Sequence, residues 1–223
     1  MNARSDTPRR LAAEFVGTAF LLAGVVGSGI MAERLTTDVG LQLFQNAFAT
    51  AGILVALILA LQPASGAHFN PAVTVADRLL GGIDTRLGSA YVAVQLVGGA
   101  LGVIVANLMF EVDAINWSTK ERFGAHLVLA EGVATFGLIV VIFGVVRAGK
   151  PTLAAFTVGG YIAAAYYFTS STSFANPAVT LARTLSDTFA GIRPSAAPAF
   201  IAAQVVGAVA AALTIRFIYP DTK

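Results

Sequence analysis

The chain has no cysteine among its 223 residues, which excludes disulfides, thiolate nucleophiles and cysteine metal sites. Charge is scarce too. Only 12% of the residues are charged, where a soluble domain carries about 25%. So few charges cannot coat a water-facing surface. Basic clusters with interleaved aromatics are missing, and a net charge of +2 gives nucleic acid no reason to bind. No metal cluster, catalytic triad or phosphate-binding loop can be assembled; the Gly98-Gly99 pair falls inside a predicted helix. Neither an enzyme nor a bound cofactor or metal is expected.

Apolar sequence is what the chain has in excess. It makes up 57% of the residues, with a mean hydropathy of +0.77, and recurs from end to end. That pattern predicts an all-α, polytopic membrane protein with no large extramembrane domain. A spanning helix needs roughly 20 apolar residues. Six stretches qualify, at about 11–32, 41–62, 88–110, 125–147, 152–170 and 197–219, the fifth being the shortest. The first follows Arg4, Arg9 and Arg10, as in a signal peptide, but it is long enough to span and shows no small-residue cleavage site.

Asn-Pro-Ala occurs twice in nearly the same surroundings. Residues 68–79 read HFNPAVTVADRL and residues 174–185 read FANPAVTLARTL. Asn is a favoured N-cap and Pro a favoured first helical residue, so each copy predicts a helix start. A helix from Asn70 to Leu80 spans about 16 Å, roughly half of a hydrocarbon core. The same holds for Asn176 to Ser186. Both read as re-entrant half-helices.

Other segments repeat as well. AEFVGT (13–18) pairs with AEGVAT (130–135), and VQLVG (94–98) with AQVVG (203–207). Each half then holds three crossings and a half-helix. Three is odd, so the second half is inverted in the membrane. The expectation is one channel domain over 1–223 with inverted repeats at about 11–110 and 125–219, an arrangement familiar in transport proteins. Positive charge orients it. Arg4, Arg9, Arg10, Arg78, Arg86, Arg147, Lys150, Arg216 and Lys223 fall on one side, against Arg34, Lys120, Arg122, Arg183 and Arg193 on the other. Both termini are expected in the cytoplasm.

If each Asn carbonyl caps its own helix, its NH₂ faces outward as a donor. Two half-helices meeting at mid-membrane would place both donors, and about half a positive charge from each macrodipole, in the path of a passing oxygen. A water wire is then broken in polarity and cations are disfavoured. Pro71 and Pro177 would form the contact between the half-helices, with Ala72 and Ala178 small enough to permit it. Gly17, Gly24, Gly98, Gly102, Gly137, Gly144 and Gly207 are expected to let helices approach closely.

These features make the chain resemble an aquaporin, a member of the major intrinsic protein family. SGAHFNPAVT (65–74), the AEFVGT start and the Gln of span three carry the likeness, which covers nearly the whole chain. It implies an hourglass of six helices and two half-helices, four pores per homotetramer, and passive conduction of water or small uncharged solutes. Glu14 and Glu131 match the family's buried glutamates and His68 its loop histidine, all three expected to brace the re-entrant loops. His126 is expected at the membrane interface.

Most members follow the second motif with an arginine that lines the outer constriction. Here that position is Val179, and Arg183, four residues on, is expected to point elsewhere. Counting back from the Asn residues places Thr50, Ser173 and Ala164 in the same constriction, with Tyr166 or Tyr167 in place of Ala164 if the segment holds a gap. A filter of Thr50, Ala164, Ser173 and Val179 is small and uncharged. At about 4 Å and an effective dielectric near 20, one fixed charge acts on another by about 4 kcal/mol. Without it, cation rejection would rest on the half-helix dipoles.

The pattern resembles the divergent bacterial aquaglyceroporins associated with arsenic resistance. It implies glycerol, urea or arsenous acid as cargo and a place in the cell membrane, the bacterial inner membrane. Three rivals remain. A mainly water-conducting channel is one, because a filter valine also occurs in some plant vacuolar water channels. An ion-coupled transporter would need a charged residue at the substrate site, for which Glu14 and Glu131 are the candidates. A closed junctional protein would leave the duplicated motif without a use.

Overall fold

A computed structural model describes residues 3–220, with side chains from Asp6 onward. Lys223 and the Arg4 side chain, counted above for orientation, lie outside the described residues. Among the described residues eight α-helices run in order: α1 (Ala3–Leu35), α2 (Val39–Ser65), α3 (Pro71–Leu80), α4 (Thr85–Met109), α5 (Ala125–Arg147), α6 (Ala154–Phe168), α7 (Pro177–Ala182) and α8 (Ala197–Ile218). The described residues contain no strand.

Helix ends follow local chemistry. The carboxylates of Asp38 and Asp84 accept from the backbone N–H of Leu41 and Leu87 at 2.8 and 2.9 Å, starting α2 and α4. Gly66 and Gly81 close α2 and α3 in the left-handed region, at φ of 93° and 86°.

Five helices, α1, α2, α4, α5 and α8, are long and apolar enough to cross a membrane. The fifth predicted span, 152–170, is shorter than expected. Its regular part is the 15 residues of α6, preceded by one 3₁₀ turn over Pro151–Leu153. Together they rise about 28 Å, still close to a hydrocarbon core. The second half-helix is also shorter than predicted. α7 holds six residues, then tightens into a 3₁₀ turn at Arg183–Leu185.

Small residues set the helix spacing. A side chain on Gly98 or Gly102 of α4 would strike the carbonyl oxygens of Phe15 and Ala19 on α1. Gly207 of α8 sits equally tightly on the Gly132 carbonyl of α5. Gly17 makes room for the Phe69 ring, and Gly137 for the Tyr161 hydroxyl. Gly144 has no such role, since only the Tyr219 hydroxyl comes near, at 3.9 Å. Around this frame α3 packs on α4 and α8, and α7 packs on the same two helices, so both half-helices sit at the centre and touch each other.

Candidate functional site: a channel past two cross-strapped asparagines

Each half-helix begins on its own Asn. Asn70 Oδ1 accepts from Ala72 N at 2.8 Å; Asn176 Oδ1 accepts from Ala178 N at 2.9 Å and Val179 N at 3.2 Å. Pro71 and Pro177 occupy the first helical positions, as the sequence predicts. Pro71, Ala72, Pro177 and Ala178 are all buried.

The amide ends differ from expectation. Asn70 Nδ2 donates to the Ala175 carbonyl, and Asn176 Nδ2 to the Phe69 carbonyl, both at 2.8 Å. Each NH₂ therefore spends one hydrogen on the opposite loop and keeps one for the channel. Both side chains line the cavity described below.

The two loops are braced alike. Glu14, fully buried, accepts from Ser65 Oγ (2.6 Å), His68 N (2.9 Å), Phe69 N (2.7 Å) and Gln95 Nε2 (2.8 Å). Glu131, also fully buried, accepts from Phe174 N (2.9 Å), Ala175 N (2.8 Å) and Gln204 Nε2 (2.6 Å). A carboxylate is an acceptor-only group, so converging donors suit it. The glutamines reach onward, Gln95 to Thr74 and Gln204 to Thr180. Ser65 and Ser171 hydroxyls accept from the backbone two residues on, at Ala67 and Ser173. Left-handed residues fall at matched places, Ala67 and Phe69 in one loop, Ser173 and Ala175 in the other, with φ between 48° and 53°. Such backbone costs free energy for non-glycine residues, so the carboxylates hold both loops in a shape they would not keep alone.

His68 braces in two ways. Its backbone N–H binds Glu14, and its ring meets Thr74 Oγ1 at 3.0 Å, Asp77 at 3.5 Å and the Tyr91 ring edge-on at 5.4 Å. Both His68 and Asp77 line the cavity, a pairing the sequence reading missed. The signal was there: Thr74 and Asp77 are three apart on α3 and share a face. His126 is exposed at the start of α5.

A cavity of about 510 Å³ runs through the bundle. One end opens between Asp6 and Arg10 of α1 and Gly82 after α3. It passes Asn70 and Asn176 and reaches Thr50, Tyr166, Ser173, Val179 and Arg183. Aliphatic side chains such as Leu54, Ile58 and Val158 form much of its wall.

Of the four residues assigned to the constriction, Thr50, Ser173 and Val179 line the cavity, at 3, 3 and 6% exposure. Ala164 does not. It is exposed on the outer side of α6, while Val158, Ile162 and Tyr166 face the cavity. Those three are four apart and form one stripe; Ala164 is two positions from it, about 200° round the helix. The uninterrupted count back from Asn176 picked the wrong face. Tyr166 takes the place instead, its hydroxyl 3.0 Å from Thr50 Oγ1, whereas Tyr167 is 55% exposed. A phenol therefore stands where a small residue was expected, and it adds a hydroxyl to this part of the cavity wall. Ser173 Oγ is buried beside it with no protein partner.

Arg183 also departs from expectation, since it lines the channel. Residues four apart share a helix face, so Arg183 follows Val179 round to the same wall. Its Nε donates to the Ala190 carbonyl, and its Cζ lies 3.4 Å from the centroid of the Phe174 ring. Arg122 reaches that ring too, at 5.0 Å, from the α4–α5 connection. This connection is strapped over the channel end. Asn116 N and Ser118 N donate to the carbonyls of Leu185 and Thr184, and Asp187 accepts from Thr119. Arg122 then ties down the carbonyls of Gly191, Ser171 and Phe189. Burial, with Arg122 nearby, pulls the Lys120 ammonium down from 10.5 to about 8.

The sequence pattern of the Major intrinsic protein family matches residues 2–169 and again 149–223. The chain belongs to the major intrinsic protein family. The aquaglyceroporin AqpS of Rhizobium meliloti is 48% identical over 218 residues, covering 98% of this chain and 93% of that one. The probable aquaporin AqpM of Archaeoglobus fulgidus is 29% identical over 242 residues, covering 94% and 96%. The fold matches the solved aquaglyceroporin of Plasmodium falciparum at a TM-score of 0.72 and 21% identity, covering 96% of both chains. As a major intrinsic protein, the chain is a multi-pass membrane channel that passes water and small solutes passively, and it is not an enzyme.

Proposed function

We propose that the channel carries small neutral hydrogen-bonding solutes, with the triols glycerol and arsenous acid and the diamide urea as candidates, together with water, down their gradients across a cell membrane. The arrangement at the narrow end carries this reading. Hydroxyls from Thr50, Tyr166 and Ser173 stand beside the Val179 side chain and an aliphatic wall. A triol has carbon or lone-pair surface for such a wall and hydroxyls for such a ring. Arsenous acid, As(OH)₃ at neutral pH, presents the same shape and hydrogen-bonding groups.

In this reading residues 1–223 form one channel domain of two inverted repeats, about 11–110 and 125–219. The Asn-Pro-Ala pair is the midplane donor site, and Thr50, Tyr166, Ser173 and Val179 are the filter. Both termini face the cytoplasm. Four copies associate in the bilayer, and outward-facing side chains such as Phe44, Phe48 and Phe217 meet lipid or neighbouring copies. Glu14 and Glu131 have their oxygens committed to the loops, which disfavours an ion-coupled transporter.

Stopped-flow light scattering on proteoliposomes, with water, glycerol, urea and arsenous acid in turn, tests the cargo. Solute-driven reswelling above protein-free vesicles is expected for all three solutes. Flux of water alone would reject the polyol assignment. Uphill accumulation driven by a proton gradient would reject a passive channel. Mass measurement of the detergent complex checks the tetramer.

A further inference from the structure

The α7 segment carries a charge that the bracing network does not use. Arg183 is 2% exposed and lies in the outer half of the channel. Among the described residues the one hydrogen bond of its side chain is from Nε to the Ala190 carbonyl, and no carboxylate forms an ion pair with it. Glu131 has both oxygens occupied by Phe174, Ala175 and Gln204. Nη1 and Nη2 are left for the cavity that Arg183 lines. A guanidinium held this way is costly unless it has a use.

Its placement is enforced from several sides. The Phe174 ring lies under it, and the Ala190 carbonyl fixes Nε. Arg122 clamps Phe189 and Gly191 on either side of Ala190, and also Ser171 before the motif. A second guanidinium over the same ring adds to the positive potential. Neither charge comes from position 179.

We propose that Arg183 is the cation-rejecting residue of this channel's outer constriction. It stands one helical turn beyond Val179 and supplies from there the fixed charge that Val179 lacks. Setting the charge back by a turn leaves the Thr50, Tyr166, Ser173 and Val179 ring free of it. Neutral solutes then cross an uncharged ring, while cations meet the guanidinium just beyond. A cation about 8 Å from it, at an effective dielectric near 20, is depleted roughly 30-fold.

This inference rests on the channel reading above, and the test separates the two. Parent, Arg183→Gln and Arg183→Lys proteins are reconstituted. Glycerol flux is read by light scattering, and Na⁺ and Cl⁻ permeabilities from reversal potentials under a NaCl gradient. Arg183→Gln is expected to raise the ratio of Na⁺ permeability to glycerol flux about 30-fold over the parent's. Arg183→Lys should stay at the parent level, and Val179→Arg added to Arg183→Gln should restore rejection. A glycerol-conducting Arg183→Gln channel with parental Na⁺ permeability overturns the proposal. If no Arg183 variant reconstitutes, the parent's own leak decides: preference for Cl⁻ supports the assignment and preference for Na⁺ overturns it. A parent that passes no neutral solute defeats the channel reading instead, whatever its ion preference.

Discussion

Replacing Glu131 by Gln changes one atom and leaves the volume alone. The carboxylate now serves Phe174 N on one oxygen and Ala175 N with Gln204 Nε2 on the other. A Gln at 131 has one carbonyl oxygen. Its best placement keeps Ala175 and Gln204 and turns its NH₂ against the Phe174 N–H. One buried N–H is orphaned, at about 1–3 kcal/mol, and two bonds lose their charge assistance, for about 1 kcal/mol more. The loss is about 2–4 kcal/mol. Against it stand three left-handed residues, Thr172, Ser173 and Ala175, with φ of 64°, 52° and 48°. At about 1–2 kcal/mol each, their strain is of the same size. Losing that much of the brace leaves the strain less opposed, and residues 172–175 relax into the channel. Thermal unfolding in detergent is expected to drop by roughly 5–15 °C, at about 2–4 °C per kcal/mol. Water and glycerol flux should fall together in proteoliposomes, because the loop and not the filter chemistry has changed. A Glu131→Gln protein that melts and conducts like the parent would remove Glu131 from the account of the loop.

Other substitutions separate the remaining parts. Val179→Arg should cut urea and glycerol flux more than water flux, since it fills the ring; an unchanged solute profile would place Val179 outside the constriction. Tyr166→Ala should raise flux of the larger solutes, while Ala164→Phe, on the outer face of α6, should leave flux alone; the reverse pattern would restore Ala164 to the filter. Gly102→Leu should abolish assembly of a stable chain, because its side chain would enter the Ala19 carbonyl; normal melting would show that α1 and α4 can part. Lys120 titrates near 8 in the folded chain against 10.5 when free. Between those values the unfolded chain holds the extra proton, so stability should rise with pH from about 8 to 10.5 more in the parent than in Lys120→Met. Parallel pH curves would refute the shift.

Much of this architecture was legible because membrane helices announce themselves. The apolar runs gave five spans to within a few residues, except that α1 begins well before the predicted Leu11. The twin Asn-Pro-Ala segments located both half-helices, since Asn capping and Pro at the first position are local chemistry. The matched Glu residues and His68 pointed to the braces, whereas the Gln residues were legible only as part of the repeat. What failed was distance along the chain standing in for direction. Ala164 came from counting, although the 158, 162, 166 stripe names the face that turns inward. Arg183 was set aside for being a turn away, although a turn away on a helix means the same side. Arg122 could not have been found, because it arrives from an irregular connection of no periodicity. The outward amide of Asn was half right, and its bond to the opposite loop is a tertiary fact.

That bond divides ownership of the channel between the two halves of the chain. Asn70 needs the carbonyl of Ala175, and Asn176 needs that of Phe69. Neither half contains the acceptor for its own signature residue. Half of this chain is therefore not half of a pore. Made separately, each would present an amide hydrogen with nothing to receive it and a strained loop with nothing across from it. The narrow middle is also a knot between the halves, where one loop cannot shift without unfastening the other. Movement in this channel is left to its two ends.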